Sequence, residues 1–150
     1  MSDDSNQFFI EMNGKDINKI ATIRLQNKIL NADGKHYENN RNEKFFYITD
    51  KKIAELIFDT YGNPLNRQIL EYASIPHTIM EISSNCIGSQ TTSYRRILKL
   101  IENGFLIPLD VGKKWKGKKS IRFVSTCTNV YLHVSVGSLM VLIQFQNFLQ

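Results

Sequence analysis

The apolar residues of this chain change their spacing at Gly104, and that change limits the folds open to it. In "TSYRRILKLIENG", which ends at Gly104, they fall at i, i+3, i+4 and i+7, namely Tyr94, Ile97, Leu98 and Ile101. This spacing is typical of one buried helix face. In the runs that follow, "FLIPLDV" and "SIRFVST", the period changes to two, as in strands. The chain is therefore predicted to be α+β, with helices first and a β-hairpin after them.

Capping and turn residues divide the first part of the pattern into four helices. Thr49 or Asp50 can cap the first, and Pro64 fits the first turn of the second, "NPLNRQILEYAS". A short third helix is predicted in "PHTIMEISSNC", and the tight turn "IGS" follows it. The fourth helix is predicted over about 89–103, with Ser89 as its N-cap.

The stretch "GKKWKGKKSIRF", from Gly112 to Phe123, carries six positive side chains and no acidic one. Like charges this close repel one another, and salt only partly screens the repulsion. The glycines suit the turn of a hairpin between the two strand-like runs. The cluster is therefore predicted to lie on a β-hairpin and to meet a polyanion. For Trp115 three positions stay open: stacked on a base, covering a sugar, or packed at the base of the hairpin.

Most of the positive charge of the chain belongs to one region. Between Ile87 and Phe123 there are nine Lys or Arg residues and two acidic ones, a net charge of +7. The remaining residues include ten basic and twelve acidic ones and sum to −2, so the whole chain carries +5. A basic patch on a nearly neutral body is the electrostatic footprint of a nucleic-acid-binding protein.

A short helix, a tight turn and a longer helix describe a helix-turn-helix, whose second helix enters the major groove of DNA. The predicted base-reading residues are Gln90, Thr91, Thr92 and Arg95. The predicted contacts to the phosphate backbone are Ser89, Arg96, Lys99, Lys113, Lys114, Lys116, Lys118, Lys119 and Arg122. The hairpin over 112–122 is then a wing beside the groove. For the helix taken alone, an ordinary amphipathic helix with a solvated charged face is the alternative.

The stretch "IGSQTTSYRRILKLIENGFLI", Ile87 to Ile107, resembles the recognition helix of winged helix-turn-helix transcriptional regulators of the archaeal and bacterial ArsR-like type. The matching positions are Tyr94, Arg95, Ile97, Leu100, Gly104, Phe105 and Leu106. The stretch "KKSIRFVSTCTNVYLHVS" is similar to the returning wing strand and the strand after it. The resemblance covers about 48–135 and implies a DNA-binding regulator with a winged-helix fold. Since no Cys-x-Cys pair lies near the helix-turn-helix, metal sensing is not expected, nor is any other cofactor.

The segment before this domain, residues 1–44, is assigned to an N-terminal extension. Its Asn13-Gly14 pair lies between apolar runs and is a hairpin signal, whereas Asp16 can instead cap a helix. The polar stretch 31–44, "NADGKHYENNRNEK", is rich in turn formers and is predicted to be a loop or linker.

The DNA-binding domain is assigned to 45–135, and an apolar C-terminal segment to 136–150. From position 129 the apolar residues alternate: Val130, Leu132 and Val134, then Leu139, Val141, Ile143 and Phe145. This predicts a hairpin, with a short helix as the alternative for its second half. Met140 and Leu142 make that half apolar on both faces, so it needs a cover. Either the N-terminal segment supplies the cover or a second copy does, in which case the segment is a dimerisation element and the regulator a homodimer.

The sequence offers little for catalysis, and the chain is not expected to be an enzyme. His36, His77 and His133 are scattered, with no cluster at metal-ligand spacing and no phosphate-cradling glycine loop. His77 precedes a predicted helix and is interpreted as a surface or capping residue.

A cytoplasmic protein is expected, with no part in the membrane. The start "MSDDSNQ" is acidic and polar, unlike a secretion signal, and no apolar run approaches the length of a membrane span. Cys86 and Cys127 are expected to be reduced, buried thiols. Two other functions remain open: a winged helix that binds an acidic protein within a larger complex, and an RNA binder.

Overall fold

The computed structural model describes residues 36–38, 44–115 and 118–146, with side chains over 45–109 and 121–146. These residues form an α+β structure, as predicted. The helices are α1 (Lys51–Gly62), α2 (Pro64–Tyr72), α3 (Ile79–Asn85) and α4 (Gln90–Glu102). The strands are β1 (His36–Glu38), β2 (Lys44–Ile48), β3 (Leu106–Trp115), β4 (Lys118–Ser125), β5 (Cys127–Ser135) and β6 (Ser138–Phe145). The predicted features at positions 13, 14 and 16 lie outside the described residues.

Asn63 joins α1 to α2 without a spacer. Its side-chain oxygen accepts hydrogen bonds from the amides of Leu65 (2.9 Å) and Asn66 (3.1 Å), which caps α2. Its own amide donates to the Thr60 carbonyl at the end of α1 (3.4 Å). Pro64 follows in the first turn of α2, where a missing amide hydrogen costs nothing. The boundary predicted between the first two helices is confirmed.

The other helices begin at side-chain caps of the predicted kind. Asp50, not Thr49, caps α1 by accepting from two backbone amides. Thr78 caps α3 by accepting from the Glu81 amide, and Ser89 caps α4 by accepting from the Thr92 amide. Gly104 follows α4 with a φ of +86°, a conformation that favours glycine. The predicted extents of the third and fourth helices are confirmed.

Four strands form an antiparallel sheet in the order β1-β2-β6-β5. The C-terminal hairpin is confirmed as β5 and β6, and the helical alternative for its second half is wrong. The reason is that Val141, Ile143 and Phe145, at alternate positions of β6, are all fully buried on one face. Gly137 makes the connecting turn with a φ of +78°.

The stretch 31–44 is not a loop throughout, because β1 lies within it. His36, Tyr37 and Glu38 pair with the first three residues of β2. A strand of three residues carries almost no apolar period, so local sequence did not reveal it. The predicted boundary between 1–44 and 45–135 stays a prediction, and the β1–β2 pair spans it.

The main core lies between one face of this sheet and the four helices. The largest fully buried side chains of the described residues are Phe105, Phe123, Phe145, Ile57, Ile69, Ile82, Ile97, Leu106, Ile107 and Ile143. Phe46 meets Phe145 edge to face, with ring centroids 5.1 Å apart. Tyr61 meets Phe105 in the same way at 5.9 Å. All four helices and the sheet therefore contribute to one packed unit.

The β3–β4 hairpin confirms the strands predicted after Gly104, and a backbone bridge joins it to the helices. The amide of Phe123 donates to the His77 carbonyl (2.7 Å), and the amide of His77 donates to the Phe123 carbonyl (3.0 Å). The backbone N–H and C=O of Phe123 therefore both point toward His77 and away from β3. Pro108, which lies opposite Phe123 in β3, is consequently at a position of the hairpin where the two residues form no hydrogen bonds with each other. The missing N–H of Pro108 therefore costs nothing there.

The end of β4 is anchored to α2. The amide of Ser125 donates to the Ala73 carbonyl (2.7 Å), and its hydroxyl donates to the Leu70 carbonyl. Both contacts use carbonyls of the last turn of α2 or just beyond it, groups that no helical amide can satisfy. The hairpin is therefore held to the helices at Phe123 and again at Ser125.

We expect Thr126→Val to destabilise the fold by about 1–3 kcal/mol. The Thr126 hydroxyl donates to the buried Gly104 carbonyl (2.5 Å), and valine keeps the shape while leaving that carbonyl unsatisfied. Denaturant unfolding followed by circular dichroism measures the loss. Thr128→Val is the matched control, because Thr128 is exposed and water can replace its longer bond to Gln144 (3.3 Å). Equal losses of unfolding free energy in the two variants would show that the buried hydrogen bond stabilises the fold no more than the exposed one.

Candidate nucleic-acid interface

One side of α4 is polar and faces solvent. Its exposed residues include all four predicted base-reading residues and two of the predicted phosphate contacts, namely Gln90, Thr91, Thr92, Arg95, Arg96 and Lys99. We call these six residues the α4 flank. Lys99 lies 3.9 Å from Glu102, and this exposed pair neutralises little of its charge. Three predicted readers, Thr91, Thr92 and Arg95, therefore share one accessible side of the helix, whereas Gln90 lies seven residues before the buried Ile97 and is exposed at the helix end.

The N-terminus of α4 adds a partial positive charge to this surface. Its first turn contains no acidic residue that would neutralise the helix dipole. Ser89 accepts a hydrogen bond from the Thr92 amide (3.2 Å) and donates its hydroxyl to the Thr92 hydroxyl (2.9 Å). The helix start is thus capped by Ser89 and electropositive, as an anion-binding helix end requires. The predicted contact of Ser89 with a phosphate stays a prediction.

The opposite side of α4 is buried, but its centre is displaced from the predicted stripe. The fully buried residues are Ser93, Ile97, Leu100 and Ile101, whereas Tyr94 and Leu98 are half-buried. Ser93 was missed because a hydroxyl residue carries no apolar signal. Its spacing of four residues from Ile97 and seven from Leu100 places it on the buried face all the same.

The turn between α3 and α4 contains Gly88, with a φ of +114°. Residues with a side chain rarely adopt this value, so the glycine is required by the turn. Next to it, Ile87 is 84% exposed, and sequence reasoning had assigned it to the turn alone. An exposed aliphatic group beside the start of α4 is of the chemical type that contacts the methyl group of thymine.

The lysine cluster occupies the far end of the β3–β4 hairpin. Lys114 pairs with Lys119 and Trp115 with Lys118, the last pair before the turn. Lys116 and Gly117 lie outside the described residues. Gly112 lies within β3, in an irregular stretch between positions 110 and 114, and not in the turn as predicted.

Of the three positions left open for Trp115, packing at the base of the hairpin is wrong, because Trp115 pairs with Lys118 at the far end. Stacking on a base and covering a sugar stay open.

Arg122 lies nearer the helices than the lysines do. It pairs with Leu109, is half-buried, and directs Nη1 to the Pro76 carbonyl at 3.5 Å, a long contact. Its predicted contact with the phosphate backbone stays a prediction, and its position next to α3 separates it from the tip.

Of the two roles predicted for His77, surface residue or helix cap, the capping role is wrong, and the half-exposed side chain has a structural role instead. Thr78 caps α3, whereas the His77 ring stacks on Tyr72 with centroids 4.1 Å apart. Its Nδ1 lies 2.7 Å from the Ile75 carbonyl. Together with its backbone bridge to Phe123, these contacts make His77 a junction residue between α2, α3 and the hairpin.

The two cysteines are free thiols with different surroundings. Cys127 is buried, and burial raises its pKa to about 12, an effect that a hydrogen bond with Tyr61 only partly offsets. Cys86, at the end of α3, is partly exposed, so the expectation of two buried thiols is wrong for it. Burial raises the pKa of the Cys86 thiol as well, and the Ser93 hydroxyl lowers it in part.

Other kinds of site find less support. No group of His, Cys, Asp and Glu residues able to hold a metal ion occurs among the described residues. A cleft of about 610 Å³ separates the start of α1 from the β5–β6 turn. Its ionisable side chains are Tyr47, Lys51 and Glu55, without a histidine or cysteine. None of the described helices has the length and apolar character needed to cross a membrane.

Comparison of the chain with models of known families, with characterised proteins and with solved structures finds no match. The function is therefore inferred from the geometry of the chain itself.

We expect only one thiol to react in the native protein. At pH 8 a pKa of about 12 leaves roughly one Cys127 thiol in ten thousand ionised, and burial excludes the reagent besides. Cys86 is partly exposed and should be alkylated by iodoacetamide, faster as the pH rises. Mass spectrometry should find one label on the folded chain and two in denaturant. Two labels on the folded chain would contradict the buried position of Cys127.

Proposed function

We propose that this protein is a cytoplasmic transcriptional regulator that binds specific sequences of double-stranded DNA through a winged helix-turn-helix. In this proposal α3 and α4 form the helix-turn-helix, α4 lies in the major groove, and the β3–β4 hairpin is the wing. The order of the elements supports this class, and so does the resemblance of Ile87 to Ile107 to ArsR-like regulators.

The observation that carries the proposal is the composition of the α4 flank. It combines three cations with amide and hydroxyl groups and lies at a helix N-terminus without an acidic residue. The major groove admits a helix, and its base edges pair with these groups: Gln with adenine, Arg with guanine, and the Thr methyl with thymine. The absence of acidic residues has no advantage for a helix face that only meets water. On a face that meets phosphates it avoids repulsion and so strengthens binding.

The hairpin supports the proposal from a second element. The bridge at Phe123 anchors it to the start of α3, and Lys118 lies five positions before Phe123 along β4. At about 3.3 Å per residue this places the tip roughly 16 Å beyond the bridge. Lysines at that reach can follow the phosphate backbone beside a groove occupied by α4, and their mutual repulsion is relieved when DNA is bound.

We expect Arg95→Ala to change sequence preference. Loss of a bidentate contact to guanine should cost about 1–3 kcal/mol on the preferred duplex and much less on unrelated duplexes. The preferred duplex is obtained by selection from a random pool. Titrations followed by fluorescence anisotropy then measure the affinity for the preferred duplex and for unrelated duplexes. Lys52→Ala removes an equally exposed cation from α1 and should leave binding unchanged.

Three results, from this selection, from competition with duplex RNA and from a test of protein partners, would overturn the proposal. Failure to enrich any duplex removes sequence-specific binding. Equal competition by duplex RNA points to an RNA binder, and binding only to an acidic protein partner points to an interaction module.

We expect replacement of the five hairpin lysines (113, 114, 116, 118 and 119) by alanine to weaken binding to all duplexes alike. Each phosphate contact releases condensed counterions, so the slope of log affinity against log salt should fall in magnitude by up to about 4.5. Titrations over a series of salt concentrations give the slope. Replacing Lys51 and Lys52, which start α1, is the control and should leave it unchanged. An unaltered slope in the hairpin variant would remove the wing from the interface.

A further inference from the structure

The C-terminal hairpin differs from the rest of the chain in having no charge. All 19 basic and 14 acidic residues precede Val124, so β5 and β6 contain no Asp, Glu, Lys or Arg. Yet the hairpin is not simply core. Six of the nine residues of β5 are exposed, among them Tyr131 at 53% and Val134 at 63%.

β5 is also the edge of its sheet. It pairs with β6 on one side and with no described strand on the other, whereas β6 lies between β2 and β5. Soluble proteins protect exposed edges with lysine, proline or a bulge, because an open edge pairs with other strands. β5 has neither lysine nor proline, and its one irregularity lies between Cys127 and Asn129, which leaves 129–135 as a regular edge that no strand of the described residues covers.

We propose that this edge pairs with the same edge of a second copy, so that two sheets join into one across a two-fold axis. The missing charge identifies the partner. An isologous interface brings each strand against itself, so a charged residue near the axis would meet its own like charge, whereas an uncharged strand is self-complementary. A partner of another kind would favour an edge that carries the opposite charge.

The register follows from the regular part of the strand. Antiparallel pairing of 129–135 with itself places Leu132 on the axis and Tyr131 opposite His133 of the second copy. The inference differs from the predicted role of 136–150 in dimerisation, because the backbone of β6 is already paired on both sides. It is independent of DNA binding, although a two-fold dimer suits a regulator that reads two half-sites.

The test is a charge swap at the two paired positions. The wild-type protein at about 50 μM should have twice the mass of the 17.4 kDa chain by light scattering. The variant Tyr131→Lys/His133→Lys places like charges opposite each other and should be monomeric. The same should hold for Tyr131→Glu/His133→Glu, and an equimolar mixture of the two variants should recover the dimer mass.

Met140→Lys is the matched control, since it adds a charge on the exposed face of β6 and not along the edge. It should remain dimeric, and circular dichroism should show all variants folded. A wild-type monomer at this concentration, or a dimer that persists in both double variants, would overturn the inference. So would dissociation by Met140→Lys without an effect of the edge variants, which would place the contact on the sheet face. No DNA is present in the experiment, so its failure leaves the proposed DNA binding standing.

Discussion

The reciprocal hydrogen bonds between His77 and Phe123 determine how the two halves of the candidate interface are held together. A two-stranded ribbon is marginally stable in water, and β3–β4 has only two strands. The bridge gives β4 a second neighbour at the position where Phe123 is buried in the core. Ser125 and Thr126 then hold the following residues to α2 and α4. Without this junction the lysine cluster would have no defined position relative to α4.

Charge divides the chain in the same way as the fold does. Helix α4 and the β3–β4 hairpin carry the excess of cations, and the C-terminal hairpin carries none. In our proposals the charged half meets a polyanion and the uncharged half meets its own copy. Both rest on one electrostatic rule, that an interface excludes the charges its partner would repel.

The sequence predicted the elements built from local signals. Ser89, Pro64 and Gly104 act through their own backbone or the next turn, so their roles could be predicted from local sequence. The exposed α4 flank could be predicted from the period of a single helix. Contacts between residues distant in the sequence could not be predicted in this way. β1 exists only because β2 pairs with it, Ser93 is buried only because α4 packs on the core, and Trp115 lies at the tip through its pairing with Lys118, beyond the register shift between Asp110 and Lys114.

Asn63 has a consequence for how this fold can change. The residue closes α1 with its backbone and opens α2 with its side chain, so the two helices share one joint. An inserted residue there would rotate α2 by about 100° relative to α1 and turn its apolar face away from the core. At the exposed Val136-Gly137 turn, an insertion would lengthen a loop and leave the packing in place. Natural length variation among homologous chains should therefore collect at that turn and be absent from the joint.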